Sequence, residues 1–127
     1  MTTQVAEIMS VPVLTIDQGD SLWDAWQMLS VSGLRHLIVV DRNGQCLGVV
    51  SDRNILADPP LNEAHLAAKQ IVSIVPAPPP ICLGPQDSPK HAAKLMTGHD
   101  MEALPVCTSD GKVIGIVSQG DLLNYVD

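Results

Sequence analysis

A single shift of 67 residues, with no gap, lays the first half of this chain over the second. Gly44, Gly48 and Ser51 fall on Gly111, Gly115 and Ser118, and Asp20-Ser21 falls on Asp87-Ser88. Pro12 meets Pro79, Ala25 meets Ala92, and Leu37 and Val39 meet Leu104 and Val106. Matches at so many fixed positions, several of them glycines with backbone-specific roles, mark a duplicated unit. The fold must therefore satisfy the same local rules twice. The natural division is residues 1–60 for the first repeat and 61–127 for the second.

Each copy reads as β-α-β-β-α. An extended piece (Val11 to Ile16; Pro80 to Leu83) leads to a helix start at Ser21 or Ser88. Ser21 with Asp24 is a capping pattern, and Ser88-Pro89 places a cap before a proline at the first helical position. Leu22, Ala25, Trp26 and Leu29 then share one helical face, as do Ala92, Leu95 and Met96. Two strands joined by a glycine turn follow: Leu37 to Val40, Asn43-Gly44 and Leu47 to Val50, then Leu104 to Val106, Asp110-Gly111 and Val113 to Val117. A second helix opens from Ser51 or Ser118. Ala57 to Ala68, with Asp58-Pro59-Pro60, is the expected connector, and Pro76 to Pro80 is the expected extended lead-in to the second copy. The expected fold class is α/β, in the α+β sense.

Composition narrows the function. Apolar residues make up 46% of the chain and charged residues 17%, which is the balance of a globular protein. Phe is absent and aromatics are only 2%, so the core must be aliphatic. A net charge of −7, with seven scattered Lys and Arg, excludes nucleic acid and an anionic membrane as partners, since both are held by clustered cations. No apolar run approaches the roughly eighteen residues that span a bilayer. The N-terminus lacks signal-peptide character, and three cysteines without C-x-x-C spacing suit a reducing cytoplasm. The four histidines share no ligand spacing with each other or with the cysteines, so no metal site is expected. Nucleophile elbow, phosphate loop and dinucleotide fingerprint are all missing, and no catalytic residue is expected.

The repeated motif with chemistry is Gly-h-h-Ser-x-x-Asp/Asn, where h is apolar, at Gly48 to Asn54 and Gly115 to Asp121. A strand ends at the serine and a helix begins there with free N–H groups, a natural place for an anion. The hydroxyl of Ser51 or Ser118 can donate to a phosphate, and the carboxylate of Asp121 can accept two vicinal hydroxyls. The same Ser-x-x-Asp spacing is also a plain capping pattern. Arg53 lies in the first turn of its helix, where a cation opposes the helix dipole unless it faces a bound phosphate.

These residues, with Ile8-Met9-Ser10, Gly33-Leu34-Arg35-His36 through Asp41, and Met101 through Val106, resemble a tandem pair of CBS (cystathionine β-synthase) domains over nearly the whole chain. The resemblance implies two repeats packed sheet to sheet with pseudo-two-fold symmetry. It also implies clefts between them that hold AMP, ADP, ATP or S-adenosylmethionine, and a homodimer. Ser118, Asp121, Ser51, Asn54 and Arg53 would then meet ribose and phosphate. Ser10, Pro12, Val13, Arg35, His36, Pro80, Met101, Leu104 and Pro105 would line the clefts. Asn54 stands where the family often has an aspartate, and Glu102 and Asp100 replace Arg35 and Gly33 in the second repeat, a setting that repels phosphate. The expected function is a stand-alone regulatory module that binds an adenosyl ligand, with no catalytic cofactor, and signals to a regulated protein on another chain. The alternative is a ligand-free interaction or dimerisation module.

Overall fold

The computed structural model describes residues 3–76 and 80–125. It is a mixed α+β protein that divides into two compact units. One holds residues 14–43 and 47–80, and the other holds residues 1–13, 44–46 and 81–127. Along the chain the elements are α1 (Val5–Ile8), β1 (Thr15–Asp17), α2 (Leu22–Ser32), β2 (His36–Val40), β3 (Cys46–Ser51), α3 (Asp52–Leu56) and α4 (Glu63–Ala68). A 3₁₀ turn (Ile71–Ile74) precedes α5 (Pro89–His99), β4 (Ala103–Cys107), β5 (Val113–Ser118) and α6 (Gln119–Leu123).

In the unit of the first repeat, β1, β2 and β3 form a sheet in that order, with β1 parallel to β2 and Thr15 opposite Ile38. In the unit of the second repeat, β4 and β5 are an antiparallel pair. The counterpart of β1 there is reduced to a parallel bridge from Leu83 to Val106. The expected second-repeat strand is thus one pairing long. Pro80 at its start has no N–H to contribute to a ladder, and Pro79 lies outside the described residues.

Each unit has its own core, and the repeat supplies both. Ile16, Ala25, Leu29, Leu37, Val39 and Val50 are buried in one. Their equivalents Leu83, Ala92, Met96, Leu104, Val106 and Val117 are buried in the other. Leu22 of α2 and Ala92 of α5 are fully buried and Leu29 nearly so. The apolar helix faces read from the sequence thus pack mainly inside the units, while Trp26 and Leu95 of the same faces are only half-buried. Both helices are capped as expected: Ser21 accepts from the Asp24 N–H and Ser88 from the His91 N–H.

The units do not follow the division at residue 60. Each repeat is completed by the segment that precedes the other. Val5 of α1 donates its N–H to the Asp87 carbonyl at 2.8 Å, and Ile71 of the 3₁₀ turn donates to the Asp20 carbonyl at 2.7 Å. Asp20 and Asp87 are the same position of the repeat, so one docking site is used twice. The connector is not irregular throughout. Asn62 caps α4 through the His65 N–H, and Leu66 is buried against the first core. No helix among the described residues is long and apolar enough to cross a membrane.

Candidate functional site

The residues singled out in the sequence sort into two sets, one in each unit. Arg35, His36, Ser51, Arg53, Asn54 and Pro80 belong to the unit of the first repeat, and Ser10, Pro12, Val13, Met101, Leu104, Pro105, Ser118 and Asp121 to the other. The split reproduces the duplication, since each set is built around one Ser-x-x-Asx motif.

In both motifs the strand ends at the serine and a five-residue helix begins at the next residue. The Ser51 N–H donates to Asn54 Oδ1 at 2.8 Å and the Asn54 N–H donates back to Ser51 Oγ at 3.2 Å. In the second copy Ser118 N–H donates to Asp121 Oδ2 at 2.9 Å and the Asp121 N–H donates to Ser118 Oγ at 3.2 Å. These are reciprocal capping boxes. The next amides are also bonded: Asp52 N–H donates to the Arg35 carbonyl at 3.1 Å and Gln119 N–H to the Glu102 carbonyl at 2.9 Å. The expectation of free first-turn N–H groups as an anion site is corrected here. The serine and the preceding loop take up those donors, and so short a helix adds little dipole.

What sets the second motif apart is its carboxylate. Asp121 is half-buried, its Oδ2 also accepts from Ser118 Oγ at 3.1 Å, and its Oδ1 accepts from Ser10 Oγ at 2.9 Å. Ser10 is brought there because its backbone pairs with Ile116 of β5. A carboxylate that already accepts from two serine hydroxyls is a competent acceptor of hydroxyl groups. Pro12 is exposed, and Val13 and Met101 are half-buried. Leu104 and Pro105 are buried, and the Leu104 side chain is fully within the core, where it can only pack.

The first motif is more cationic and carries an amide instead of the carboxylate. Arg53 is exposed, His36 is half-buried at the start of β2, and Pro80 is half-buried. Arg35 Nε lies 3.5 Å from Asp52 Oδ2, its side chain half in solvent.

A third grouping has no signature in the sequence. Cys46, Cys82 and Cys107 come from three separate stretches, yet their Sγ atoms all lie within 4.8 Å of one another. Cys46 and Cys107 are buried and Cys82 is half-buried. Hydrogen bonding with Cys107 and then Cys46 draws the Cys82 thiol well below its usual range, and hydrogen bonding with Cys107 and Cys82, with burial, pushes the Cys46 thiol up. Sequence spacing could not show this, because the three meet only through tertiary pairing.

Comparison with known proteins agrees with the duplicated architecture. The CBS domain model matches twice, over residues 5–58 and 68–127. A CBS domain-containing protein of Dictyostelium discoideum is 30% identical over 99% of this chain and 92% of its own length. The homoserine O-acetyltransferase of Methanococcoides burtonii is also 30% identical over 94% of this chain, but the chain spans only 23% of that enzyme. Among solved structures, CBSX2 in complex with AMP is 28% identical with a TM-score of 0.78, covering 94% of this chain and 92% of that one. The CBS domain pair of protein MJ0100, in complex with 5′-methylthioadenosine and S-adenosyl-L-methionine, is 25% identical with a TM-score of 0.80, covering 95% and 97%. Two full matches to one domain model, on two repeats with the same elements and equivalent cores, make this chain a tandem CBS domain pair and a member of the CBS domain family.

Proposed function

We propose that this chain is a non-catalytic regulatory module that binds an adenosyl ligand through the Asp121 carboxylate. The observation that carries the reading is the Ser10 hydroxyl at 2.9 Å from Asp121 Oδ1, a carboxylate accepting from a hydroxyl outside its own motif. Relatives of the same fold are complexed with AMP and with S-adenosylmethionine, which differ beyond the adenosine they share. The adenosine part is thus the portion to expect, and the acidic Glu102, whose carbonyl accepts from the Gln119 N–H of the same motif, favours an uncharged or cationic tail over phosphate near Asp121. The first motif, with Arg53, Arg35 and His36, suits a phosphorylated ligand. Binding shifts the population of two arrangements of the module, and a regulated protein on another chain reads the shift. The setting is cytoplasmic, and the working form is a homodimer. Exposed apolar side chains that could serve that contact include Val31, 90% exposed at the end of α2, and Leu123, 84% exposed at the end of α6.

Asp121→Asn tests the reading. Asn54 shows that an asparagine makes the same capping box, so the fold should be retained. Calorimetry with adenosine, AMP, S-adenosylmethionine and 5′-methylthioadenosine should show affinity falling by about tenfold or more, ~1.4 kcal/mol, with a nearly unchanged melting temperature. Unchanged affinity would leave Asp121 a capping residue only. One observation favours a second reading, a ligand-free interaction module: both serines already have their partners within the motif. Absence of any thermal shift across the four ligands would establish it.

A further inference from the structure

We propose that Cys46, Cys82 and Cys107 form a binding site for one thiophilic d¹⁰ metal ion, Zn²⁺ or Cu⁺. The three sulfurs lie within 4.8 Å of one another, and Cys46 Sγ and Cys82 Sγ are 3.9 Å apart. Thiolates around a tetrahedral ion at a Zn–S distance of about 2.3 Å are separated by about 3.8 Å. The triangle is therefore at or within an ångström of ligand spacing, and side-chain rotation closes the remainder. A disulfide would need two of these sulfurs to approach to about 2.05 Å and would leave the third without a role.

The positions argue for a shared purpose. Cys46 opens β3 directly after the Gly44 turn, Cys82 lies in the extended piece before the Leu83 bridge, and Cys107 ends β4 at an irregularity in the strand register. Backbone pairing fixes all three: Cys46 N–H donates to the Gly111 carbonyl at 3.2 Å, Cys107 N–H to the Leu83 carbonyl at 2.8 Å, and Leu83 N–H to the Pro105 carbonyl at 2.8 Å. Ligands held in or beside paired backbone rather than by loose loops are already oriented. At the offset of 67 their counterparts are Val113, Thr15 and Val40, none of which can ligate a soft metal. The cluster is thus an addition to the duplicated scaffold rather than a product of it.

No histidine or carboxylate joins the three thiols among the described residues, so the donor set is sulfur alone. Such a set selects soft ions and rejects Mg²⁺ and Ca²⁺. Cys82, the half-buried member, marks the side from which the ion enters and where solvent can complete four-coordination. A bound ion would fasten the 44–46 turn to the strand of the second repeat.

The test uses the reduced full-length chain with Zn²⁺ alone and, in a separate anaerobic arm, Cu⁺ alone. Native mass spectrometry should show one equivalent bound in at least one arm, with a raised melting temperature. Co²⁺ should give thiolate-to-metal charge-transfer absorption, and thiol reagents should be slowed at three positions. Cys82→Ser and Cys107→Ser should each weaken binding by at least about a hundredfold, the upper end of what losing an outer-shell partner costs. Since Cys107 is buried, Cys82→Ser is the safer variant and its circular dichroism is recorded alongside. Absence of binding in both arms, or binding indifferent to Cys82→Ser, overturns the proposal. One titratable thiol instead of three in protein purified without reductant would show a disulfide and overturn it as well.

Discussion

Ser10 and Asp121 stand 111 residues apart in the chain, and the hydroxyl of one donates to the carboxylate of the other at 2.9 Å. The contact exists because the segment before the first repeat folds onto the second, where Ser10 pairs with Ile116. A local motif, Ser118 with Asp121, thereby gains a donor from a distant part of the chain. Any ligand that presents hydroxyls to Asp121 Oδ1 competes with Ser10 for it.

Ser10→Ala should therefore have opposite effects on stability and binding. It removes one hydrogen bond to a charged acceptor at an exposed position, which should cost about 0.5–1.5 kcal/mol of folding stability. It also removes the resident competitor, so adenosine should bind as tightly as to the unaltered chain or more tightly. Chemical denaturation and calorimetry on the same preparation check both. Weaker adenosine binding would make Ser10 a direct ligand contact instead of a stand-in.

Gly115 carries a packing prediction. A Cβ at this position would run into the Met9 side chain, with Sδ the nearest atom. The equivalent Gly48 would meet Val75 Cγ1 at 2.8 Å. Overpacking of this kind costs typically about 1–3 kcal/mol. Gly115→Ala should lower the melting temperature, and Met9→Ala in the same chain should restore part of the loss, because the obstructing atom is on a flexible side chain. A double-mutant cycle measures the coupling.

The sequence carries most of this fold because the repeat reports each element twice. Ala25 with Ala92, and Leu37 with Leu104, are core positions in both halves, and the glycine turns at Gly44 and Gly111 have positive φ as their residue type implies. What it does not carry is long-range. α1 is four residues long, too short for a periodic signal, and its docking depends on the Asp87 carbonyl. α4 follows Asp58-Pro59-Pro60, whose turn chemistry conceals a short helix that is held by burial of Leu66. The serine motifs were legible as residues, but their ambiguity between cap and ligand site persisted because one geometry serves both. The cysteine triangle was illegible for a different reason: its members come from the start of β3, the extended piece before Leu83 and the end of β4, with no spacing to join them.

Asp58 provides a pH prediction. Lys69 Nζ lies 3.0 Å from it and His65 Nε2 lies 3.3 Å away, a cluster that ties the end of α3 to α4. The Lys69 hydrogen bond, followed by its charge and then His65, holds the Asp58 carboxyl below its ordinary value. A carboxyl depressed in the folded state contributes stability above its unfolded value near about 3.9, and loses it as pH falls through the folded value. Asp58→Asn should thus be less stable than the parent at neutral pH. The difference should shrink as pH is lowered below about 4. Urea denaturation of both proteins along a pH series checks the sign, and a gap that widens with acid would refute the assignment.

Arg53 separates phosphate recognition from folding. It occupies the first turn of α3, exposed, next to Asp52, which already engages Arg35. A helix of five residues has little dipole, so helix stability does not decide the place of this cation. In a chain of net charge −7, a phosphorylated ligand needs a local cation to approach at all. If Arg53 supplies it, Arg53→Ala should weaken AMP binding by about 1.5–3 kcal/mol, the range for a hydrogen bond to a charged group. Adenosine, which has no phosphate, should lose little. The difference between the two ligands should also shrink as salt is raised, because an exposed ion pair is screened within a Debye length of about 8 Å at physiological ionic strength. Calorimetry with both ligands at two salt concentrations measures it. Equal losses for adenosine and AMP would assign Arg53 to the fold, and no loss for either would move phosphate recognition to Arg35 and His36.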